Sequence, residues 1–533
     1  MKKAKVFIAV FLFPLAWAGA QTYPDINGKV VFGYQGWFSC PDGAGFGSNW
    51  THWSSGAPTG TNMQIDFYPD VTEFPTAQLC RTDMTIGGKP AYLYSPQTAA
   101  IVDRHFQWMQ TYGLDGVLLQ RFLIDIPGKK TTGDTVLKNV MNGANNHGRG
   151  FAIEYDISSV PADKILSQIQ TDWMYLVDQM KVTIQTSYFH RNNLPVVAIW
   201  GFGISDGNHP ATPAITQSVL EWFHHGAAPQ YRAVIIGGVP AWWRSLNNDA
   251  FTDTAWIAVY DSFDVVQPWN VGRYNSIATS DNWLSLNLTP DNLRTKSKGK
   301  EYQPVIFPGF SWHNLTGNAV NQIPRLSGRF IWEQAINAKK SGAPMLKIAM
   351  FDEVNEGTAM FKVASRRSHA PDQGTWVTLD ADGDTTLPSD WYLRMGGVIT
   401  QMFHGTIPIT ATIPIRPGEA WTGVETAKRK NSIPGLRISH IDGGIVFMGA
   451  GLGMEIQIMD ILGRPIRKLR SGYPGARWDG RDESGRRSPQ GVYYARLIPA
   501  LFQHLYDEVS NIQTGAENGP KARVAAIVFV VIP

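Results

Sequence analysis

Two glutamates three residues apart, Glu353 and Glu356, stand in the run Lys347 to Thr358 (KIAMFDEVNEGT), directly after a short apolar stretch that reads as a strand. On a continuing strand, residues i and i+3 point to opposite faces, so the two carboxyls converge only if the chain turns after Glu353. Asn355 and Gly357 are turn formers at the required place. Such a pair suits glycosidic bond cleavage, in which one carboxyl protonates the leaving oxygen and the other acts as base or nucleophile. Neighbouring carboxylates also separate their proton affinities, keeping one protonated and one ionised near neutrality. Two solvated acids on a loop would look the same locally, so the surrounding elements must decide.

Those elements repeat. Eight short β-branched or aromatic runs occur at Val30 to Gly33, Gly116 to Gln120, Phe151 to Tyr155, Val196 to Trp200, Ala233 to Gly237, Trp256 to Asp261, Pro304 to Phe307 and Lys347 to Phe351. Between them, Thr98 to Tyr112, Thr135 to His147, Ala162 to Phe189, Pro213 to His225 and Leu326 to Ser341 carry apolar residues at helical spacing. Strands alternating with helices imply parallel pairing, and eight of them imply an α/β fold of the closed (β/α)8 TIM barrel type over residues 21–410. A doubly wound nucleotide-dependent fold would carry a glycine-rich phosphate loop after its first strand. Gly33-Tyr-Gln-Gly36-Trp37 has neither the spacing nor a following helix.

Residues 1–20 combine a basic start (Lys2, Lys3, Lys5), an apolar stretch from Val6 to Trp17 and a small-residue end, the pattern of a secretory signal peptide. The stretch is short for a membrane span. The reading is an exported protein, periplasmic, extracellular or at the cell surface. Removing the three lysines brings the formal charge of +3 to zero, so no electrostatic footprint for nucleic acid remains. The 19 Trp residues suit stacking on sugars as well as core packing. Cys40 and Cys80 are the only cysteines; in an oxidising compartment they are candidates for a pair. Asp380-Ala-Asp382-Gly-Asp384 starts like a calcium loop but has Trp391 at the twelfth position, and is read as a turn. No metal or cofactor is expected. His224 and His225 fall at a helix end, facing its dipole.

Beyond a linker over residues 411–432, short strands with Gly turns over 433–499 have the pattern of a small β-sandwich. Asp460-Ile-Leu-Gly463-Arg464, Trp478-Asp479-Gly480-Arg481-Asp482 and Gly491-Val492-Tyr493 resemble the immunoglobulin-like domain of flagellar hook-capping proteins, also found at the C-termini of secreted bacterial enzymes. The resemblance implies a role in cell-surface attachment. Residues 500–533 form a tail of open role, closing in the apolar run Ala525 to Ile532.

Several points in order resemble glycoside hydrolase family 99, the endo-acting α-mannosidases and α-mannanases and their relatives. They are Phe32-Gly-Tyr34-Gln-Gly-Trp37, His52-Trp53, Gly113-Leu-Asp115-Gly116, Pro308-Gly309-Phe310 and Glu353-Val-Asn-Glu356-Gly357-Thr358. The resemblance implies retaining hydrolysis of α-linked glycans, with Glu353 as base toward the sugar 2-hydroxyl and Glu356 as acid/base. The chain departs from that family at Asp352, where Asn is usual, and at Val354, where Trp is usual. Losing the Trp removes an aromatic wall, so xylosidase- or arabinosidase-type activity stays open beside mannose. A non-catalytic carbohydrate-binding or adhesive protein on the same barrel is the alternative from another class. At strand ends, Tyr34, Trp37, Tyr155, Trp200 and Trp312 are candidates for sugar stacking, and Arg121, Asp156, Asp261, Asp264 and His313 for hydroxyl contacts, with His52 and Trp53 added by the resemblance. An ion pair of Asp261 or Asp264 with Arg273 is the duller reading of those two acids.

Overall fold

The computed structural model describes residues 23–41 and 49–421, and in the C-terminal part the strands and turns within 437–498 and 527–532. It separates into two compact units, residues 1–424 and 425–533.

In the first unit, parallel strands Val30–Tyr34, Gly116–Phe122, Gly150–Asp156, Leu194–Trp200, Val234–Pro240 and Val265–Trp269 follow one another around a curled sheet, and Leu346–Ile348 pairs on the other side of Val30–Tyr34. The two ends of this order, Glu301–Tyr302 and Val305–Ile306, are consecutive in the chain. They are one strand position broken at Gln303 and Pro304: the first half pairs with Val265–Trp269 and the second with Leu346–Ile348. Gln303 N donates to Val266 O and Lys347 N to Pro304 O, both at 3.0 Å, so the curl closes through this split position into a TIM-like barrel. Gly116 shows why the register is tight, since a Cβ there would lie 1.9 Å from Gly150 O.

Two readings change. Trp256 to Asp261 is a helix, Ala255–Tyr260, initiated by Asp253 Oδ1 accepting from Ala255 N at 2.9 Å. The sixth strand is Val265–Trp269, whose Pro268 sits opposite Val239. The long helix expected over Ala162 to Phe189 ends at Asp178, and a short strand, His190–Arg191, follows before Leu194–Trp200. Cys40 and Cys80 are joined, with Cα atoms 6.3 Å apart.

Beside the buried apolar residues of the strands, the barrel holds a buried polar cluster. Lys347 Nζ donates to Glu154 Oε1 at 2.5 Å and to Gln267 Oε1 at 3.2 Å, and Gln267 Nε2 donates to Gln303 Oε1 at 2.7 Å. All four side chains are buried, a costly arrangement that only close pairing offsets.

Residues expected to be linker remain on this unit as far as Trp421: Arg394 Nη1 donates to Glu419 O at 2.7 Å, and Trp421 Nε1 to Thr111 O at 3.1 Å. In the second unit, Arg437–Ile441, Gly444–Met448 and Gly475–Trp478 form one antiparallel sheet. Pro465–Arg470, Glu455–Met459, Gly491–Ile498 and Ile527–Ile532 form another, so the apolar run of the tail supplies a strand. Residues 1–22 lie outside the described residues. Among the described residues, no helix is long and apolar enough to cross a membrane.

Candidate active site

The eighth strand ends at Ile348, and the chain folds back on itself: Phe351 N donates to Gly33 O at 2.7 Å, Thr358 N to Glu353 O at 3.1 Å, and Met360 N to Met350 O at 3.0 Å. This is the turn that the acid pair requires. Gly357 makes it with φ +66°, and a Cβ there would lie 2.8 Å from Ser311 N, so only glycine fits this close approach.

Glu353 is 3% exposed. Its Oε1 accepts from Gln35 Nε2 at 2.9 Å and its Oε2 from the Thr358 hydroxyl at 3.2 Å. Burial, followed by the charges of Glu356 and Asp352, raises its carboxyl well above the usual range. Glu356 is more open to solvent, and burial of its carboxyl pushes it up to about 7. Asp352, fully buried, accepts from Gln35 N at 2.8 Å and Gly36 N at 2.9 Å, one bond to each oxygen. Burial still lifts it to about 6 against those two donors. Three carboxyls thus share one loop, and among the described residues none has a Lys or Arg within ion-pair distance.

The loops around the acids are knitted to them. Asp66, also buried, accepts from His313 N at 2.8 Å, Asn314 N at 2.7 Å and the Ser311 hydroxyl, while its own N donates to Val354 O at 3.1 Å. Ser311 N donates to Glu356 O at 3.0 Å. Arg325 is 4% exposed, and its Nη2 donates to Gly357 O and Ala359 O, both at 2.8 Å. Its guanidinium lies 4.3 Å from the Phe67 ring and 4.4 Å from Tyr392. Burial lowers its pKa to about 10, so the group stays charged at neutral pH. Neither Gln35, Asp66 nor Arg325 carries a signal in the sequence that separates it from other polar residues.

A cavity of about 270 Å³ opens beside the first two strands, lined among others by Gln35, Trp37, His52, Gln120, Arg121 and Lys129. It meets the acids only through Gln35. Trp37 stacks on His52 at 4.0 Å and on Phe122 at 5.2 Å, so this ring is already part of an aromatic wall. His52 has a left-handed backbone, φ 62°, and burial lowers its imidazole to about 4, leaving it neutral. Asp156 shares its strand face with Glu154, and burial raises its carboxyl. Trp200 meets Trp269 edge-on at 5.5 Å, and Trp312 meets Phe310 at 5.8 Å; all four are partly exposed. His313 Nδ1 lies 2.6 Å from Asn318 O.

The remaining expected contacts are structural. The Tyr34 hydroxyl pairs with His105 Nδ1 at 2.9 Å, and Trp53 Nε1 donates to Tyr94 O at 2.9 Å; both rings are fully buried. The Tyr155 hydroxyl donates to Asp172 at 2.9 Å, and Arg121 is held by the same Asp172 at 2.6 Å and by Asp134 at 3.0 Å. Asp261 pairs with Arg294 at 2.7 Å and Lys298 at 3.3 Å rather than with Arg273, which pairs with Asp249. Asp264 accepts from His224 Nε2 at 2.9 Å and Ile235 N at 2.8 Å, so His224 serves an acid rather than a helix end. Both acids precede the sixth strand and stand at the end of the barrel opposite the glutamates. Asp380, Asp382 and Asp384 serve Thr378, Ser327 and Thr386 separately.

No family model and no curated protein matches the chain. Among solved structures, it is similar to a family 99 endo-α-mannosidase from Bacteroides thetaiotaomicron in complex with bis-tris propane. The TM-score is 0.52 at 16% identity, over 72% of this chain and 98% of that one. A second structure, titled as the family 99 endo-α-mannosidase from the same organism, gives 0.52 at 16% identity over 71% and 98%. What the chain shares with these proteins at that identity is the fold, an α/β barrel.

Proposed function

We propose that the protein is an exported glycosidase that cleaves α-linked glycans with Glu353 and Glu356 as its catalytic carboxyls. The observation that carries this reading is the folded-back loop after the eighth strand, which buries both glutamates side by side with raised proton affinities. One carboxyl protonates the leaving oxygen. The other removes a proton from the attacking hydroxyl, either water or the sugar 2-hydroxyl, as the resemblance to family 99 implies. Partly exposed Trp200, Trp269 and Trp312 offer ring faces and edges around the mouth, and Asp156 and His313 offer polar contacts. Mannose is the sugar suggested by the similar enzymes; xylosidase- or arabinosidase-type activity is the variant suggested by Val354. The two antiparallel sheets of the second unit agree with an immunoglobulin-like module serving cell-surface attachment.

The experiment is a panel of α-mannosides, α-xylosides, arabinosides and yeast mannan, with wild type beside Glu356→Gln. Sugar release by wild type, reduced about 10²-fold or more in the variant, is expected. Binding without release by either protein would instead favour a non-catalytic carbohydrate-binding protein.

A further inference from the structure

The near balance of charge over the whole chain hides an uneven split. Residues 425–533 hold fifteen Lys and Arg against ten Asp and Glu, and the stretch 460–488 alone holds eight against four. The fold gathers that stretch at one sheet edge. Pro465–Arg470 is the outermost strand of its sheet, paired on one side with Glu455–Met459. On its other side lies the hairpin that follows Gly475–Trp478: Glu483 N donates to Ile466 O at 3.1 Å, and Arg467 Nη1 to Asp482 O at 3.0 Å. Exposed Arg464, Lys468 and Arg470 on the strand side thus stand beside exposed Arg481, Arg486 and Arg487 on the hairpin.

The four acids of the stretch are committed to its turns. Asp460 accepts from Arg464 N at 2.9 Å, Asp479 from Arg481 N at 3.1 Å, Asp482 from Ser484 N at 2.9 Å, and Glu483 from Lys468 N at 2.6 Å. Three of them also meet arginines, at Arg464, Arg467 and Arg486, which leaves the basic excess in place. Arg481 and Arg487 form an antiparallel bridge, so two like charges start from directly opposite positions on one face. Such a pair costs stability, and an anion between the two relieves it. Lys468 and Arg470, two residues apart on the strand, share a face with their Cα atoms about 7 Å apart.

We propose that this edge binds a linear polysaccharide with regularly spaced carboxylates, a polyuronate. The proposal rests on the reading of the second unit as a surface-attachment module and gives that module its chemistry. Carboxylates recur along such a polymer as the basic groups recur along the strand and hairpin, so contacts that are each weak in water act together. Trp478 and Tyr493 are buried, so neither ring offers a face for nucleic-acid bases to stack on.

The test is retention of the full chain on immobilised polygalacturonate at about 20 mM and about 0.5 M salt. Wild type is expected to bind at the lower salt and elute at the higher. With Lys468→Gln, Arg470→Gln and Arg487→Gln together, all at exposed positions, binding should weaken about tenfold or more. The charge-keeping set Lys468→Arg, Arg470→Lys and Arg487→Lys should bind as wild type does, which separates loss of charge from loss of fold. Neutral dextran and duplex DNA are run beside the polyuronate. No binding by wild type, equal binding by the glutamine set, or duplex DNA held as tightly as polygalacturonate overturns the proposal. Retention on dextran alone overturns it too, while leaving attachment through the second unit standing. Sugar release plays no part in the readout, so failure of the glycosidase reading is a separate result.

Discussion

At the scale of single residues, burying the acid loop raises the proton affinities of its glutamates and so ties stability to pH. Glu356 titrates near 4.5 when unfolded and at about 7 in the fold, so the folded chain holds its proton more tightly. The stability linked to this group is therefore full below pH 4.5 and falls as pH rises through 7. Glu356→Gln cannot ionise, and should melt roughly 1–4 °C above wild type at pH 7.5 yet level with it at pH 4. Calorimetry at the two pH values decides this, and an equal gain at both would refute it. The pair itself was legible in the sequence as a motif after a strand, because acids and turn formers mark themselves. Side-chain direction was less so. Tyr155 and Asp156 are adjacent on one strand, so they point to opposite faces; Asp156 shares the face of the buried Glu154, while the Tyr155 hydroxyl reaches Asp172. Tyr34 packs against His105 in the same way.

At the scale of elements, the loops after the seventh and eighth positions act as one piece because Arg325 and Asp66 tie them together. Arg325 holds the Gly357 and Ala359 carbonyls that flank Thr358, the hydroxyl on Glu353. Arg325→Met should lower kcat about tenfold to a hundredfold with KM little changed, since it displaces the acids rather than a substrate contact. Arg325→Lys should recover part of the loss. Steady-state kinetics on the best substrate of the panel checks both, and an unchanged kcat in Arg325→Met would rule the brace out. Sequence periodicity found most strands but exchanged the sixth for the helix Ala255–Tyr260. The apolar run there reads equally well at either period, and Pro268 hides the true strand. Arg325 escaped notice because its partners are backbone carbonyls and ring faces, which leave no trace in spacing.

At the scale of the whole molecule, the first unit carries the acids and the described cavity, and its packing runs as far as Trp421. A chain ending after residue 424 should therefore retain wild-type kcat/KM on a small soluble glycoside, whereas one ending near Thr410 strips Trp421 from Thr111 and should melt lower. Loss of activity in the longer chain would show that the second unit helps to build the site. The barrel class followed from eight alternating repeats, but how it closes did not, because two-residue half-strands are too short for any pattern to reveal. That closure bears on how the protein breathes. With only Glu301–Tyr302 on one flank and Val305–Ile306 on the other, the seam has fewer amides to protect than its neighbours. Deuterium should reach Tyr302 and Ile306 sooner than Ala152 or Val197, and transient widening of the mouth should begin between the segments bearing Trp269 and Trp312.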